Sequence, residues 1–169
     1  MNRVALLLGG NQGDRRQLIE QATVLIQQRI GAVVASSRLY ETAPWGEFAT
    51  ENGEQGPENF LNQALLVETA FTAHETLREA LAIEAELGRV RSDNSQRSTF
   101  NSQLRKYHSR PMDIDLIFFN DEVIDTPDLT IPHPRMHLRR FVLEPLAEIM
   151  PDYCHPLLKK TMKEMLNEV

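Results

Sequence analysis

The sequence predicts an α+β fold of the ferredoxin-like type, a βαββαβ antiparallel sheet with helices, extended at its C-terminal end by a hairpin and a helix. Three observations predict it. Strand-like and helix-like patterns alternate in that order over residues 4–119, both helical stretches carry capping signals, and the last strand is apolar apart from two aspartates. In this fold the helices pack on one face of the sheet, so we expect the other face to be free for a ligand.

The first half of the chain supplies a strand, a helix and a second strand. Residues 4–8 are a continuous apolar strand that ends in two glycines. Asp14 is placed to cap a helix that ends near Arg29, before Gly31. The apolar stripe of this helix consists of Leu18, Ile19, Ala22, Leu25 and Ile26. Residues 33–42 are predicted to form the second strand.

The second half of the pattern follows a loop rich in proline, glycine and acidic residues at 43–58. Residues 60–68 predict a third strand. Thr72 and Glu75 have the spacing of a capping box for a second helix, and Gly88 is the expected stop signal.

The fourth strand, within residues 110–119, carries Asp113 and Asp115. Because side chains alternate along a strand, both aspartates should share one face, roughly 7 Å apart. The opposite face should then hold the apolar side chains of Met112, Ile114, Leu116 and Phe118. Two neighbouring carboxylates suit Mg²⁺, which prefers oxygen ligands. The alternative is an edge strand whose aspartates simply face water.

The C-terminal third predicts an extension of the core pattern. A hairpin should turn at Asn120 and Asp121, and residues 131–134 form a proline-rich loop. A helix is expected over residues 139–150, strained by Pro145, and an amphipathic tail follows it. Residues 92–103, rich in serine, asparagine and glutamine, are expected to form a surface loop.

Length, composition and net charge limit the number of domains and the classes of function that this chain can have. The 169 residues, 41% of them hydrophobic, suffice for one core, so we expect one domain over residues 1–169. A net charge of −6 argues against an extended surface for nucleic acid or anionic membranes. The apolar run at 4–8 is too short for a signal or a membrane span, and the single Cys154 fits a reducing compartment. A cytoplasmic monomer is expected, with a weak homo-oligomer as the alternative.

Basic residues gather on both sides of the aspartate pair in this acidic chain. The two groups are Arg89, Arg91, Arg97, Arg105, Lys106 and Arg110, and then Arg135, Arg139 and Arg140. Arginine binds phosphate oxygens bidentately, so these groups could hold a polyphosphate beside a metal. Ordinary solvated charge is the alternative for any one of them.

Six segments, in order, resemble one known family. They are residues 6–14, 40–46, 59–64, 83–91, 110–119 and 131–141, with motifs such as Ile131-Pro132-His133-Pro134. Together they are similar to the 6-hydroxymethyl-7,8-dihydropterin pyrophosphokinases of folate biosynthesis. The resemblance implies an enzyme that moves pyrophosphate from ATP to the pterin hydroxymethyl group and releases AMP, with two Mg²⁺ ions.

The resemblance also implies roles for particular residues. Asp113 and Asp115 match the metal-binding carboxylates. The pterin positions are matched by Phe60 and Phe141 for stacking, Thr42 and Asn62 for the ring edge, and Pro44 and Trp45 in a closing loop. The ATP positions are matched by Glu84, Arg89, Arg110, His133 and Arg139. Arg91 and Arg110, together with the two aspartates, match catalytic positions around the reacting phosphates.

The chain departs from the family pattern in residues 92–109, which are longer than expected. Tyr107 stands near the place of a common tryptophan, and either Arg97 or Arg105 could be the remaining loop arginine.

Two other functions fit a ferredoxin-like sheet with paired aspartates. One is a two-metal nucleotidyl-transfer or nuclease domain. The other is a non-catalytic binding module, although the aromatic and glycine-rich pattern of an RNA-binding sheet is missing.

Overall fold

The computed structural model describes residues 1–10, 14–42, 60–91 and 112–169, with the side chains of 89–91 excepted. Their strands are β1 (Asn2–Gly10), β2 (Gly31–Ser36), β3 (Tyr40–Thr42), β4 (Phe60–Thr69), β5 (Asp113–Phe119), β6 (Ile124–Thr126) and β7 (Leu129–Ile131). Their α-helices are α1 (Arg15–Arg29), α2 (Ala73–Arg91), α3 (Arg140–Ile149) and α4 (Met162–Glu168), and a 3₁₀ helix spans Met136–Leu138.

The main sheet has five strands in the order β2-β4-β1-β5, with β3 also paired to β4. Every pairing in it is antiparallel. The first and last strands of the βαββαβ pattern therefore lie side by side, and the predicted ferredoxin-like α+β fold is confirmed. This order brings β3, β4, β1 and β5 together as four neighbouring strands, and the candidate site is built on them.

Both predicted helix starts are confirmed. The Asp14 carboxylate accepts a hydrogen bond from the backbone N–H of Gln17 at 3.1 Å. At the start of α2, the Glu75 carboxylate accepts from the N–H of Thr72 and the Thr72 hydroxyl accepts from the N–H of Glu75. The predicted stop at Gly88 is wrong, because α2 continues to Arg91. Among the described residues, no helix is both long enough and apolar enough to cross a membrane.

The predicted second strand is two strands, separated by residues 37–39. At Ser37 a side chain replaces part of the backbone ladder, since the Ser37 hydroxyl accepts the N–H of Ala64 at 3.0 Å. The carbonyl of Ser37 accepts from the side chain of Gln63 at 2.6 Å. The chain thus leaves the sheet after β2 and rejoins β4 as β3.

Apolar side chains cover both faces of the sheet. One face packs Leu6, Leu8 and Leu65 against α1 and α2, as predicted. The other face packs Ala5, Leu7 and Ala64 against α3 and α4. The expectation that this second face would be free for a ligand is therefore wrong for much of its area, because the C-terminal helices bury it. The part left open lies beyond Leu7, toward the Asp113 end of β5.

Phe118 lies on the opposite face from the one predicted. Pairing between β1 and β5 shifts register, so that Ala5 lies opposite Phe118 while Leu6 lies opposite Leu116. The extra residue, Ile117, is a β-bulge, and a bulge reverses the side-chain alternation beyond it. Phe118 consequently packs against the C-terminal segment, with its ring centroid 4.5 Å from that of Tyr153.

The C-terminal extension contains the predicted hairpin at a different turn. Asn120, with φ of 52°, ends β5 without pairing it to the next strand. The hairpin consists of β6 and β7, and its turn is at residues 127–128. Helix α3 lies within one residue of the predicted bounds at each end, contains Pro145 as expected, and has Arg139 as its N-cap.

Gly31 offers a test of the packing between β2 and β4. A Cβ atom at this position would lie 1.9 Å from the backbone oxygen of Glu68, and neither strand can move without disrupting the sheet. We expect Gly31→Ala to lower the free energy of unfolding by about 1–3 kcal/mol or more. Gly88, where a Cβ would meet no described atom within 4 Å beyond the nearby backbone of its own helix, is the matched control.

Gly88→Ala should raise the free energy of unfolding by about 0.5–1 kcal/mol, because glycine is a poor residue inside a helix. Urea denaturation of both variants measures the two effects. Equal stability of the two variants would contradict the close approach of β2 and β4 at Gly31.

Candidate active site

The candidate site is a row of side chains that crosses four strands on one face of the sheet. Tyr40 pairs with Asn62, Asn62 with Gly9, and Gly9 with Asp113. Directly paired residues of antiparallel strands point to the same face. Neighbouring strands are about 4.8 Å apart, so Asn62 and Asp113 stand on either side of Gly9 at about 10 Å. The register of three strand pairs therefore decides which polar groups meet.

A pocket of about 220 Å³ opens in front of this row. Its lining is Leu7, Gly9, Thr42, Phe60, Asn62, Asp113, Asp115, Arg139 and Phe141. We refer to it as the ring pocket. All four described residues predicted for pterin binding line it, as do both predicted metal ligands. Its walls combine two aromatic rings with a polar edge, a combination that suits a flat heterocycle.

Asn62 is the buried polar group of the ring pocket, with only 3% of its surface exposed. Its amide nitrogen donates to the Thr42 hydroxyl at 3.3 Å. Its amide oxygen lies over Gly9, where a Cβ atom would be only 2.6 Å away. Glycine at position 9 thus provides the space in which the Asn62 carboxamide sits. The carboxamide is held from both sides, with its hydrogen-bonding edge at the pocket.

A second concavity lies on the other side of the aspartates, along α2 and the β6–β7 hairpin. We refer to it as the outer groove. It has a volume of about 370 Å³ and is lined by Leu77, Leu81, Glu84, 113–116, 127–130, His133 and Pro134. Asp113 and Asp115 line both the ring pocket and the outer groove. They are the boundary between the two.

Glu84 fixes the strand that carries the aspartates. Its carboxylate accepts a hydrogen bond from the backbone N–H of Ile114 at 2.5 Å. Ile114 stands between Asp113 and Asp115, so this bond attaches α2 to the outer edge of β5 at the site itself. Glu84, predicted as an ATP contact, therefore lies in the outer groove, which both aspartates also line.

His133 enters the outer groove from the loop after β7. Its backbone N–H donates to the carbonyl of Ile117 at 3.0 Å, which holds the loop against β5. Burial lowers the pKa of His133, and the positive charges of Arg139 and Arg135 lower it further. The imidazole is therefore neutral at pH 7. Since Nδ1 accepts the N–H of Arg135 at 3.3 Å, the proton is on Nε2, which can donate to a phosphate oxygen.

Arg139 lies in the ring pocket and not among the residues of the outer groove. It is the N-cap residue of α3, and its guanidinium carbon is 5.7 Å from the centroid of the Phe141 ring. The positive charge thus lies beside the Phe141 ring, in a pocket that the two aspartates also line. This position suits a group that neutralises a phosphate at the boundary of the two concavities.

The donor set at the boundary fits Mg²⁺. Asp113 is half-buried and Asp115 is exposed, and both face open space. In the part of the chain that the structure describes, no group of three or more histidine, cysteine, aspartate or glutamate side chains could hold a metal ion. Two carboxylates alone suit Mg²⁺, which usually keeps several waters and takes its other ligands from substrate phosphates.

Several predicted site residues lie outside the described part of the chain. These are Pro44, Trp45 and Arg110, as well as Arg97, Arg105 and Tyr107, and the side chains of Arg89 and Arg91. Leu7 and Gly9 line the ring pocket but were not predicted as site residues. Gly9 could have been predicted as a site residue, because a glycine inside a strand often marks a place where another group approaches the backbone closely.

Comparison with known proteins shows the family of this chain. The family model of 7,8-dihydro-6-hydroxymethylpterin-pyrophosphokinase (HPPK) matches residues 5–151. The chain belongs to this family. An HPPK relative, the 2-amino-4-hydroxy-6-hydroxymethyldihydropteridine pyrophosphokinase of Porphyromonas gingivalis, is 36% identical over 154 residues, covering 90% of this chain and 93% of that protein. The enzyme of the same name from Bacillus subtilis is 38% identical over 151 residues, covering 88% and 79%.

Solved structures support the HPPK fold. The crystal structure of wild-type Plasmodium falciparum HPPK-DHPS matches with a TM-score of 0.72 at 18% identity. The match covers 99% of this chain and 44% of that longer chain. At this identity the likeness shows the fold alone.

Proposed function

We propose that this HPPK family member transfers pyrophosphate from ATP to 6-hydroxymethyl-7,8-dihydropterin, a step of folate biosynthesis. The pterin hydroxymethyl oxygen attacks the β-phosphorus of ATP. The bond between that phosphorus and the oxygen bridging to the α-phosphorus breaks, and AMP leaves. Residues 1–169 would form the single pyrophosphokinase domain.

One observation carries the proposal: Asp113 and Asp115 line two different concavities at once. A transferase with two substrates needs two binding sites that meet where the bond forms. The ring pocket has the aromatic walls and buried amide that a pterin requires, and the outer groove has the histidine and carboxylate assigned to ATP. A nuclease would have no use for the ring pocket.

The pterin would lie between Phe60 and Phe141, with its polar edge toward Asn62 and Thr42. Discrimination follows from the burial of Asn62, since a ring without complementary donors and acceptors would leave its carboxamide unpaired. Pro44 and Trp45 are proposed to complete this half of the site. The hydroxymethyl group would then point along the row toward Asp113.

ATP would lie in the outer groove, with His133 donating to a phosphate and Glu84 near the nucleotide. Arg139 would pair with phosphate oxygens at the boundary, and Arg89, Arg91 and Arg110 are proposed to act on the same triphosphate. Asp113 and Asp115 would hold two Mg²⁺ ions, which when bound would offset the triphosphate charge and favour attack at the β-phosphorus.

The direct test is product analysis. We expect the protein, ATP, Mg²⁺ and 6-hydroxymethyl-7,8-dihydropterin to give AMP and the pterin pyrophosphate in equal amounts. Omission of the pterin should abolish AMP formation, and replacement of Mg²⁺ by a chelator should do the same. Release of ADP in place of AMP would contradict the proposal. Release of inorganic pyrophosphate, or cleavage of a single-stranded oligonucleotide under the same conditions, would contradict it and favour the nucleotidyl-transfer or nuclease alternative.

The pKa of His133 gives a separate prediction about the nucleotide half. The imidazole should titrate below its ordinary value of 6.5 in the free protein, because burial and two arginines disfavour the cation. The carboxylates that line the same groove are those of Glu84, Asp113, Asp115 and Asp128. ATP brings additional negative charge, so its binding should raise the pKa of His133.

Two-dimensional NMR of the histidine ring protons over pH 4–9, with His133→Gln to assign the signal, measures the midpoint with and without ATP. A midpoint that is unchanged or lowered by saturating ATP would contradict the placement of the phosphates beside His133.

A further inference from the structure

Tyr40 and Glu148 connect the two walls of the ring pocket at a point outside the pocket itself. The Tyr40 hydroxyl donates to the Glu148 carboxylate at 2.7 Å. Tyr40 belongs to β3 and Glu148 to the last turn of α3. They are 108 residues apart in the chain, so this bond is a tertiary connection between a strand and a helix.

On the strand side, Tyr40 shares its face with the polar wall of the pocket. It lies two residues before Thr42 and directly opposite Asn62. Residues two apart in a strand point the same way, about 7 Å from each other. The position of the Tyr40 hydroxyl is therefore fixed relative to the Thr42 and Asn62 side chains.

On the helix side, Glu148 shares its face with Phe141, one of the two aromatic residues that line the ring pocket. It follows Phe141 by seven residues, which is almost two full turns, so both side chains project from the same side of α3 at about 10 Å along its axis. A contact that fixes Glu148 therefore fixes both the rotation of α3 and its position along its axis. Phe141, at the other end of that face, lines the ring pocket with Thr42.

Glu148 also contacts Arg38, the residue two positions before Tyr40. Its carboxylate oxygens also accept from the backbone N–H of Arg38, at 3.2 and 3.4 Å. The Arg38 guanidinium lies 5.3 Å above the Tyr40 ring and 3.7 Å from the same carboxylate. The preceding Ser37 is itself bonded to Gln63 and Ala64 of β4. Glu148 is thus attached to backbone that is rigid with respect to Asn62.

We infer that Tyr40 and Glu148 are a positioning pair that sets the distance between Phe141 on α3 and the strand side of the ring pocket, and thereby the affinity of the pocket for a flat bicyclic ring. The strand side carries Thr42, Phe60 and Asn62. Neither residue touches the ring; both act through Phe141, Thr42 and Asn62. The inference rests on the proposed function, because it identifies the ring as the pterin. The outer groove is formed by α2, β5 and the β6–β7 hairpin, none of which contains Tyr40 or Glu148, so ATP affinity should not depend on this pair.

The test compares Tyr40→Phe, Glu148→Ala and Glu148→Gln by calorimetry with the pterin and with ATP separately. Tyr40→Phe should raise the Kd for the pterin about fivefold to tenfold, the effect of losing one typical hydrogen bond. Glu148→Ala should raise it at least as much, because it also removes the bonds to Arg38. The Kd for ATP and kcat at saturating pterin should stay within about twofold of wild type, so that the loss appears in KM. Glu148→Gln should restore most of the affinity, because an amide oxygen still accepts from the hydroxyl.

The double variant Tyr40→Phe/Glu148→Ala should bind the pterin no more weakly than Glu148→Ala alone, since the one bond that Tyr40→Phe removes is already absent from Glu148→Ala. Glu68→Ala, which removes a half-buried carboxylate paired with Arg3 at the far end of β4, is the matched control and should leave pterin affinity unchanged. Unchanged pterin affinity in Tyr40→Phe, or an equal loss of pterin and ATP affinity, would overturn the inference while the proposed function stands. A wild-type protein that binds ATP but no pterin would overturn both.

Discussion

Asp113→Asn and Asp115→Asn are each expected to lower the rate of pyrophosphoryl transfer at least about a thousandfold. The reason is that each carboxylate supplies negative charge at the boundary of the two concavities, where the metal ions and the triphosphate must meet. Removal of metal-based charge stabilisation costs several kcal/mol in the transition state. Single-turnover kinetics at saturating Mg²⁺ measures this loss, and alanine at either position should behave in the same way.

The same two variants should keep the fold and its stability. Asp113 and Asp115 point the same way about 7 Å apart, so removal of one charge relieves repulsion between like charges. Asp125→Asn, an exposed carboxylate on β6 outside both concavities, is the control and should retain full activity. Near-native turnover in either variant at ordinary Mg²⁺ concentration would contradict the metal assignment. Loss of activity with loss of the folded state would point to a structural role instead.

The aspartate pair could be predicted from the sequence because it depends only on local alternation. Asp113 and Asp115 precede the bulge at Ile117, so the two-residue period holds for them. The same reasoning failed for Phe118, which follows the bulge. A bulge is set by how β5 pairs with β1, and no pattern within residues 110–119 encodes that pairing. The capping residues Asp14, Thr72 and Glu75 were predictable for the same reason that the aspartates were, since their partners lie within three residues.

The other parts of the site depend on register and packing between distant segments. Gly9 enters the site because β1 pairs with β4 on one side and β5 on the other. Phe141 enters it because α3 covers a face of the sheet that the ferredoxin-like pattern alone leaves open. The resemblance to a family supplied Phe141 and Asn62 as candidates, but only the tertiary structure gives the reason for their proximity. The contact between Tyr40 and Glu148 could not be predicted from the sequence, because the two residues are 108 positions apart and no local sequence pattern indicates such a bond.

Asn62→Ala is expected to weaken pterin binding about 10- to 100-fold and to leave ATP affinity within about twofold. Asn62 is 3% exposed and presents the buried polar edge of the ring pocket, and a ligand polar group left without its partner there loses about 1–3 kcal/mol. Asn62 does not line the outer groove, so the affinity for ATP should not change. Calorimetry with each ligand separately, at a temperature where the variant is folded, measures the two affinities.

Gly9→Ala should reproduce much of this effect without removing the amide. Its Cβ would lie 2.6 Å from the Asn62 amide oxygen, so the carboxamide must turn away from its hydrogen bond with Thr42 and from the pocket edge. Gly88→Ala, whose added Cβ meets no described atom within 4 Å beyond the nearby backbone of its own helix, is the control and should bind the pterin as wild type does. If Asn62→Ala weakened ATP and pterin equally, Asn62 would belong to a shared structural element. If Gly9→Ala then left pterin affinity intact, the orientation of the Asn62 carboxamide would have no part in recognising the ring.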